Sequence, residues 1–132
     1  MSERAAQDWP QLFASLAESS RDPRLRAYYG AGCVAVDTPL QDVPLVALDV
    51  ETTGLDPREN AIVSLGLVPL SLQRIRCSEA RYWVVKPTGE LNAESVTFHH
   101  ITHSDIRHAP RLASVLDELL EAMAGKVVVA HY

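Results

Sequence analysis

The sequence lacks several features that would assign it to a simple functional class. Basic residues do not predominate: 12 Lys and Arg stand against 17 Asp and Glu, a formal net charge of -5. This balance excludes a domain held to nucleic acid by bulk positive charge. No apolar run approaches the length of a membrane-spanning helix, and no signal peptide is evident. The two cysteines, Cys33 and Cys77, have no motif spacing, so we expect free buried thiols in a reducing cytosol and a cytoplasmic protein.

What is present is the composition of a globular domain. The chain has 132 residues, of which 47% are hydrophobic and 22% charged. A proline-containing stretch, residues 37–44, has no periodicity and reads as a linker. We therefore predict a helical extension and linker over residues 1–40 and a second unit over residues 41–132. The acidic excess lies in residues 41–70, which carry five acids and one base.

Apolar periodicity and turn residues predict an α/β order in the chain. Two helices are predicted to begin after the N-cap residues Asp8 and Asp22. A short helix is predicted from Asn92 to His100 and a longer one over residues 111–124. Four short apolar segments predict strands over residues 45–50, 61–70, 81–87 and 126–132. We expect the first three strands to be antiparallel and the long helix to cross over to a parallel fourth.

Asp49 and Glu51 are the strongest functional signal from the residues alone. Side chains at i and i+2 of a strand project from the same face, so both carboxylates point to one spot at the end of an apolar strand. Mg²⁺ or Mn²⁺, which prefer oxygen ligands, would compensate their charge. The alternative is a solvated strand end with two surface acids.

The loop after the acids, TTGL, adds to this signal. Gly54 can adopt a positive φ, so the backbone can fold tightly beside the carboxylates. Leu55 is expected to present an apolar face to a base. An ordinary tight turn is the alternative.

Three segments resemble a known family. VALDVETTGLDPREN with AIVSLGLV is similar to the first motif of the DEDD-type 3′–5′ exonucleases, which include the proofreading exonucleases of DNA polymerases. SVTFHHITHSDI is similar to the H-G-I-T segment of the His-containing branch, and VVVAHY to the strand that opens its second motif. The resemblance implies a ribonuclease H-like fold and 3′–5′ hydrolysis of nucleic acid by two Mg²⁺ or Mn²⁺ ions. Single strands with a free 3′ end are the implied substrate.

The resemblance also implies roles for individual residues. Asp49 would bridge both ions and Glu51 would bind one of them. Thr52, Gly54, Leu55 and His99 would contact the 3′-terminal nucleotide. His100 departs from the family's usual glycine and Tyr132 from its usual asparagine, and the acids of the later motifs and the general-base histidine do not occur in these residues. We therefore expect a truncated domain, inactive by itself, whose last strand is covered by a following segment, a partner domain or a second copy.

Other interpretations stay open at this point. A non-catalytic interaction module that keeps the fold is the first rival, and an enzyme acting on free nucleotides is the second. A zinc site is weakly suggested by His99, His103 and His108, although solvated imidazoles are the default. The basic stretch of Arg74, Arg76, Arg81 and Lys86 is predicted to be a solvated strand face rather than a nucleic-acid path.

Overall fold

The computed structural model describes residues 6–56, 58–87 and 103–131. The short helix predicted from Asn92 to His100 lies outside these residues. The described part contains four α-helices and five strands. The helices are α1 (Trp9–Ser19), α2 (Pro23–Gly30), α3 (His103–Arg107) and α4 (Leu112–Met123). The strands are β1 (Leu45–Thr52), β2 (Ile62–Ser71), β3 (Arg74–Ile75), β4 (Arg81–Val84) and β5 (Val127–Ala130).

The strands form one mixed sheet with β1 at its centre. β1 pairs antiparallel with β2 and parallel with β5, while β2 also pairs antiparallel with β3 and β4. Helix α4 makes the crossover from the antiparallel strands to β5. The predicted α/β architecture, three antiparallel strands followed by a parallel one, is therefore confirmed.

The main core lies between the sheet and α4. Alternate side chains of β1 and β2, Val46, Leu65 and Leu67, are buried against Val115 and Leu119 of the helix. The regular apolar stripe of α4 is what allows one helix to cover this face. The opposite face of the sheet carries Asp49 and Glu51, since it holds the alternate residues of β1.

The two N-terminal helices begin where their capping residues predict. The Asp8 carboxylate accepts a hydrogen bond from the backbone N–H of Gln11, and that of Asp22 accepts one from Arg24. The Arg24 side chain also donates to Asp22, and these bonds lower the pKa of Asp22 to about 2. Arg24 further reaches the Ala113 carbonyl oxygen of α4, so the helical pair packs on the outer side of that helix.

Three smaller expectations need correction. Cys77 is exposed and Cys33 half-buried, so both thiols are free, as predicted, but neither is fully buried. The strand predicted over residues 126–132 ends at Ala130, and His131 after it is exposed. β3 was not predicted, because two residues are too short to show any periodicity.

Candidate active site

The two predicted carboxylates lie side by side on the face of β1 that points away from α4. Asp49 is exposed and Glu51 half-buried, and both stand at the C-terminal end of the strand. Among the described residues, no side chain forms an ion pair with either carboxylate and no group donates a hydrogen bond to it. Two adjacent anions without a partner in the described part of the chain form an oxygen-rich site suited to a hard divalent cation.

The loop after β1 is held by bonds from its own side chains. The Thr52 hydroxyl donates to the Gly54 carbonyl oxygen at 2.6 Å. The Ala61 backbone N–H donates to Oγ1 of Thr53 at 3.0 Å, and the Thr53 N–H donates to the Ala61 carbonyl oxygen at 2.9 Å. The Asp56 N–H donates to Oδ1 of Asn60 at 2.9 Å. These bonds fix the loop relative to the end of the strand that carries the acids.

Gly54 serves this loop for a different reason from the one predicted. The described glycines with positive φ are Gly32 and Gly125, so Gly54 does not use the positive φ that glycine permits. A Cβ at Gly54 would instead lie 2.6 Å from Oδ1 of Asn60. The absence of a side chain therefore lets the Asn60 amide pack against the backbone.

Gly54→Ala is expected to displace Asn60 and break its bond with the Asp56 N–H. Loss of one partly buried hydrogen bond should lower the free energy of unfolding by about 1 kcal/mol in urea titration. Gly30→Ala is the matched control, since a Cβ there meets nothing within 4 Å and Gly30 has no positive φ. Equal stability changes in the two variants would show that the contact with Asn60 is unimportant.

A groove opens beside this loop. It has a cavity volume of 540 Å³, and its lining includes three predicted substrate-binding residues, Thr52, Gly54 and Leu55. Leu55 is 90% exposed, so it has no role in the core. The groove lining does not include Asp49 or Glu51. Because Thr52 and Glu51 project from opposite faces of β1, the groove and the carboxylates lie on the two sides of the strand end.

Lys86 also lines the groove, although it was not predicted to be a substrate-binding residue. It is exposed, as predicted for a solvated basic face. Its backbone N–H donates to the Pro110 carbonyl oxygen at 2.8 Å, which holds its backbone against the chain leading into α4. Its side chain forms no ion pair with a described residue. Local sequence carries no signal for this placement, because the Pro110 contact is non-local.

The remaining predicted site residue, His99, lies outside the described residues. Within residues 6–56, 58–87 and 103–131, no group of three or more His, Cys, Asp or Glu side chains is placed to hold a metal ion. In the same part of the chain, no helix is long and apolar enough to cross a membrane.

A comparison with known protein families shows which family this chain belongs to. The RNase T family of exonucleases matches residues 46–132. The chain belongs to this exonuclease family. The resemblance stated from the DVETTGL segment is thereby confirmed, and the match includes Asp49, Glu51 and the whole loop.

Relatives of this exonuclease domain occur in bacterial DNA polymerases. The chain is 29% identical over 98 residues to "DNA polymerase III PolC-type" of Thermotoga petrophila, covering 74% of this chain and 7% of that protein. It is 32% identical over 103 residues to "DNA polymerase III subunit epsilon-like protein" of Rhodobacter capsulatus, covering 77% of this chain and 15% of that protein. The exonuclease domain thus spans a small part of these relatives.

Solved structures share the fold of this exonuclease domain. One is exonuclease X in complex with 5′ overhanging duplex DNA, with a TM-score of 0.55 and 23% identity, covering 66% of this chain and 48% of that chain. Another is Escherichia coli exonuclease I in complex with a dT13 oligonucleotide, with a TM-score of 0.58 and 14% identity, covering 68% and 20%. The predicted ribonuclease H-like exonuclease fold is confirmed.

Proposed function

We propose that this chain carries the first acidic motif of a metal-dependent 3′–5′ exonuclease that acts on single-stranded nucleic acid. The observation that carries the proposal is the pair of carboxylates, Asp49 and Glu51, at the end of β1 and next to the TTGL loop, neither of them paired with a described residue. We extend the proposal to the chain's organisation, with residues 41–132 in the nuclease domain and residues 1–40 as a helical extension.

Asp49 and Glu51 fit the divalent ions that such a reaction requires. Both donors are carboxylate oxygens, both lack a counter-charge among the described residues, and both are accessible from one face of the sheet. When bound there, Mg²⁺ or Mn²⁺ would supply the Lewis-acid chemistry of phosphodiester hydrolysis. Two carboxylates bind such ions weakly unless further oxygen ligands are added. We therefore propose that phosphate oxygens of the substrate and other acids complete the site.

The loop and its groove offer a place for the terminal nucleotide. The volume of 540 Å³ is ample for a nucleotide, and the exposed Leu55 side chain provides an apolar surface for a base. Lys86 stands at the same groove and provides positive charge for a phosphate. A nucleic-acid strand whose terminal nucleotide lies in this groove must pass around the end of β1, so that its phosphodiester reaches the carboxylates.

The relatives support nucleic acid as the substrate. Two of the structures with this fold were determined with DNA, one with a 5′ overhanging duplex and one with an oligonucleotide. The relatives in sequence are DNA polymerase III proteins. We propose on this basis that the substrate is a polynucleotide with a free 3′ end rather than a free nucleotide.

A second candidate, a non-catalytic interaction module, is favoured by one observation. Apolar side chains stand exposed on the sheet face that carries the carboxylates. They are Ile75, Tyr82, Val127 and Val129. A partner domain or a second copy of the chain would bury such a face. Cover of this kind is also compatible with catalysis, so activity must be measured to separate the two candidates.

An assay for the direction of hydrolysis tests the proposed function. The purified full-length protein, meaning the complete domain with the later acidic motifs, should release mononucleotides from a single-stranded oligonucleotide labelled at its 3′ end, and only with Mg²⁺ or Mn²⁺ present. An oligonucleotide blocked by a 3′ phosphorothioate linkage should resist, whereas the same block at the 5′ end should have no effect. Absence of metal-dependent release would leave the interaction module as the function of this fold.

A further inference from the structure

Ser64 is a buried polar residue next to the candidate site. It lies on β2, is only 1% exposed, and is directly opposite Glu51 in the antiparallel register. On its other side it is opposite Val84 of β4, and Val84 packs with Val63 and Ile106 in a small apolar cluster. Ser64 therefore has two cross-strand neighbours, Glu51 on β1 and Val84 on β4, and of these only Glu51 is polar.

The Ser64 hydroxyl has no hydrogen-bond partner among the residues that the structure describes. Buried hydroxyl groups are nearly always paired, because an unpaired one loses its hydration without compensation. Within the described part of the chain this buried hydroxyl is unpaired, and the polar side chain directly opposite it is that of Glu51. Glu51 is therefore the described group best placed to engage the hydroxyl when the site is loaded.

We infer that Ser64 is a positioning residue for Glu51. Directly opposed residues of antiparallel strands have Cβ atoms about 4.5–5.5 Å apart, within reach of a bond between a serine hydroxyl and a glutamate carboxylate. The hydroxyl donates to one carboxylate oxygen and leaves the other free for a cation. Because a glutamate side chain has several rotatable bonds, this bond selects the rotamer that presents the carboxylate beside Asp49. The inference rests on the proposed function, since it requires Glu51 to hold a divalent ion.

Mn²⁺ binding to the full-length protein tests the inference without relying on activity. Free Mn²⁺ is counted by electron paramagnetic resonance in titrations of the wild type, Ser64→Ala and Ser64→Cys. Ser64→Ala should raise the Mn²⁺ dissociation constant by about 10- to 100-fold, the usual effect of removing a group that orients a metal ligand. Ser64→Cys, with a similar size and a weaker donor, should fall between them. Ser71→Ala, on the same strand but far from Glu51, is the matched control and should bind like the wild type.

Two further measurements distinguish a positioning role of Ser64 from a purely structural one. The melting temperature of Ser64→Ala should stay the same or rise, since the variant removes a buried hydroxyl that pairs with none of the described residues. In a Glu51→Ala background, Ser64→Ala should cause no additional loss of Mn²⁺. Wild-type affinity in Ser64→Ala, alongside lost affinity in Asp49→Asn, would overturn the inference and leave the proposed function standing. The same affinity in the wild type and Asp49→Asn would instead overturn the proposed function.

Discussion

Asp49→Asn should lower the kcat/KM of the full-length protein on single-stranded oligonucleotides by at least 100-fold. The substitution removes one of two adjacent negative charges, so the site would hold divalent cations less tightly. The negative charge that develops on the phosphate in the transition state would then be less stabilised. A loss of this kind corresponds to about 3 kcal/mol of barrier or more. The 3′-label release assay measures it, in Mg²⁺ and in Mn²⁺.

The fold should not change in Asp49→Asn, because the Asp49 side chain is exposed and forms no ion pair with a described residue. Circular dichroism and the melting temperature check this point. Asp37→Asn is the matched control, since it neutralises another exposed aspartate away from the sheet. Retention of more than about a tenth of wild-type activity would remove Asp49 from the catalytic site, since the expected barrier increase exceeds that loss.

Leu67→Ala should have the largest effect on stability. Leu67 is 1% exposed and belongs to the cluster that joins the central strands to α4. Truncating a buried leucine removes apolar contacts and leaves a cavity, which costs about 2–5 kcal/mol of unfolding free energy. Urea unfolding followed by circular dichroism measures the change.

Leu55→Ala is the matched control for Leu67→Ala. Its side chain lies on the surface beside the groove, so the unfolding free energy should change by less than about 0.5 kcal/mol. Its KM for oligonucleotides should rise instead, because an apolar contact with a base is worth roughly 1–3 kcal/mol. If Leu55→Ala lowered stability and left KM unchanged, the groove would not be the nucleotide site.

The features that the sequence predicted well are those determined locally. Asp8 and Asp22 cap their helices through bonds to residues two or three positions away. The i and i+2 spacing of Asp49 and Glu51 determines their common face once the segment is a strand.

The features that the sequence missed depend on distant parts of the chain. The role of Gly54 follows from the approach of Asn60 rather than from its own backbone angle. Glu51 is opposite Ser64 only because β1 and β2 keep one register from Leu45 to Glu51, and the pairing then shifts so that Ile62 rather than Val63 is opposite Thr52. A residue's burial next to a particular partner strand cannot be deduced from its neighbours in sequence.

The parallel pairing of β1 with β5 has a consequence for folding kinetics. Leu45 is opposite Val127, so two strands about 80 residues apart must meet before the central strand has both neighbours. Contacts of long sequence separation form late, because the entropy of closing the intervening loop is lost before the contact is gained. During synthesis, β1 can pair with β2 early but must wait for residues 127–130 to emerge from the ribosome. Until then its second edge, beside the acids, offers unpaired backbone groups to other chains.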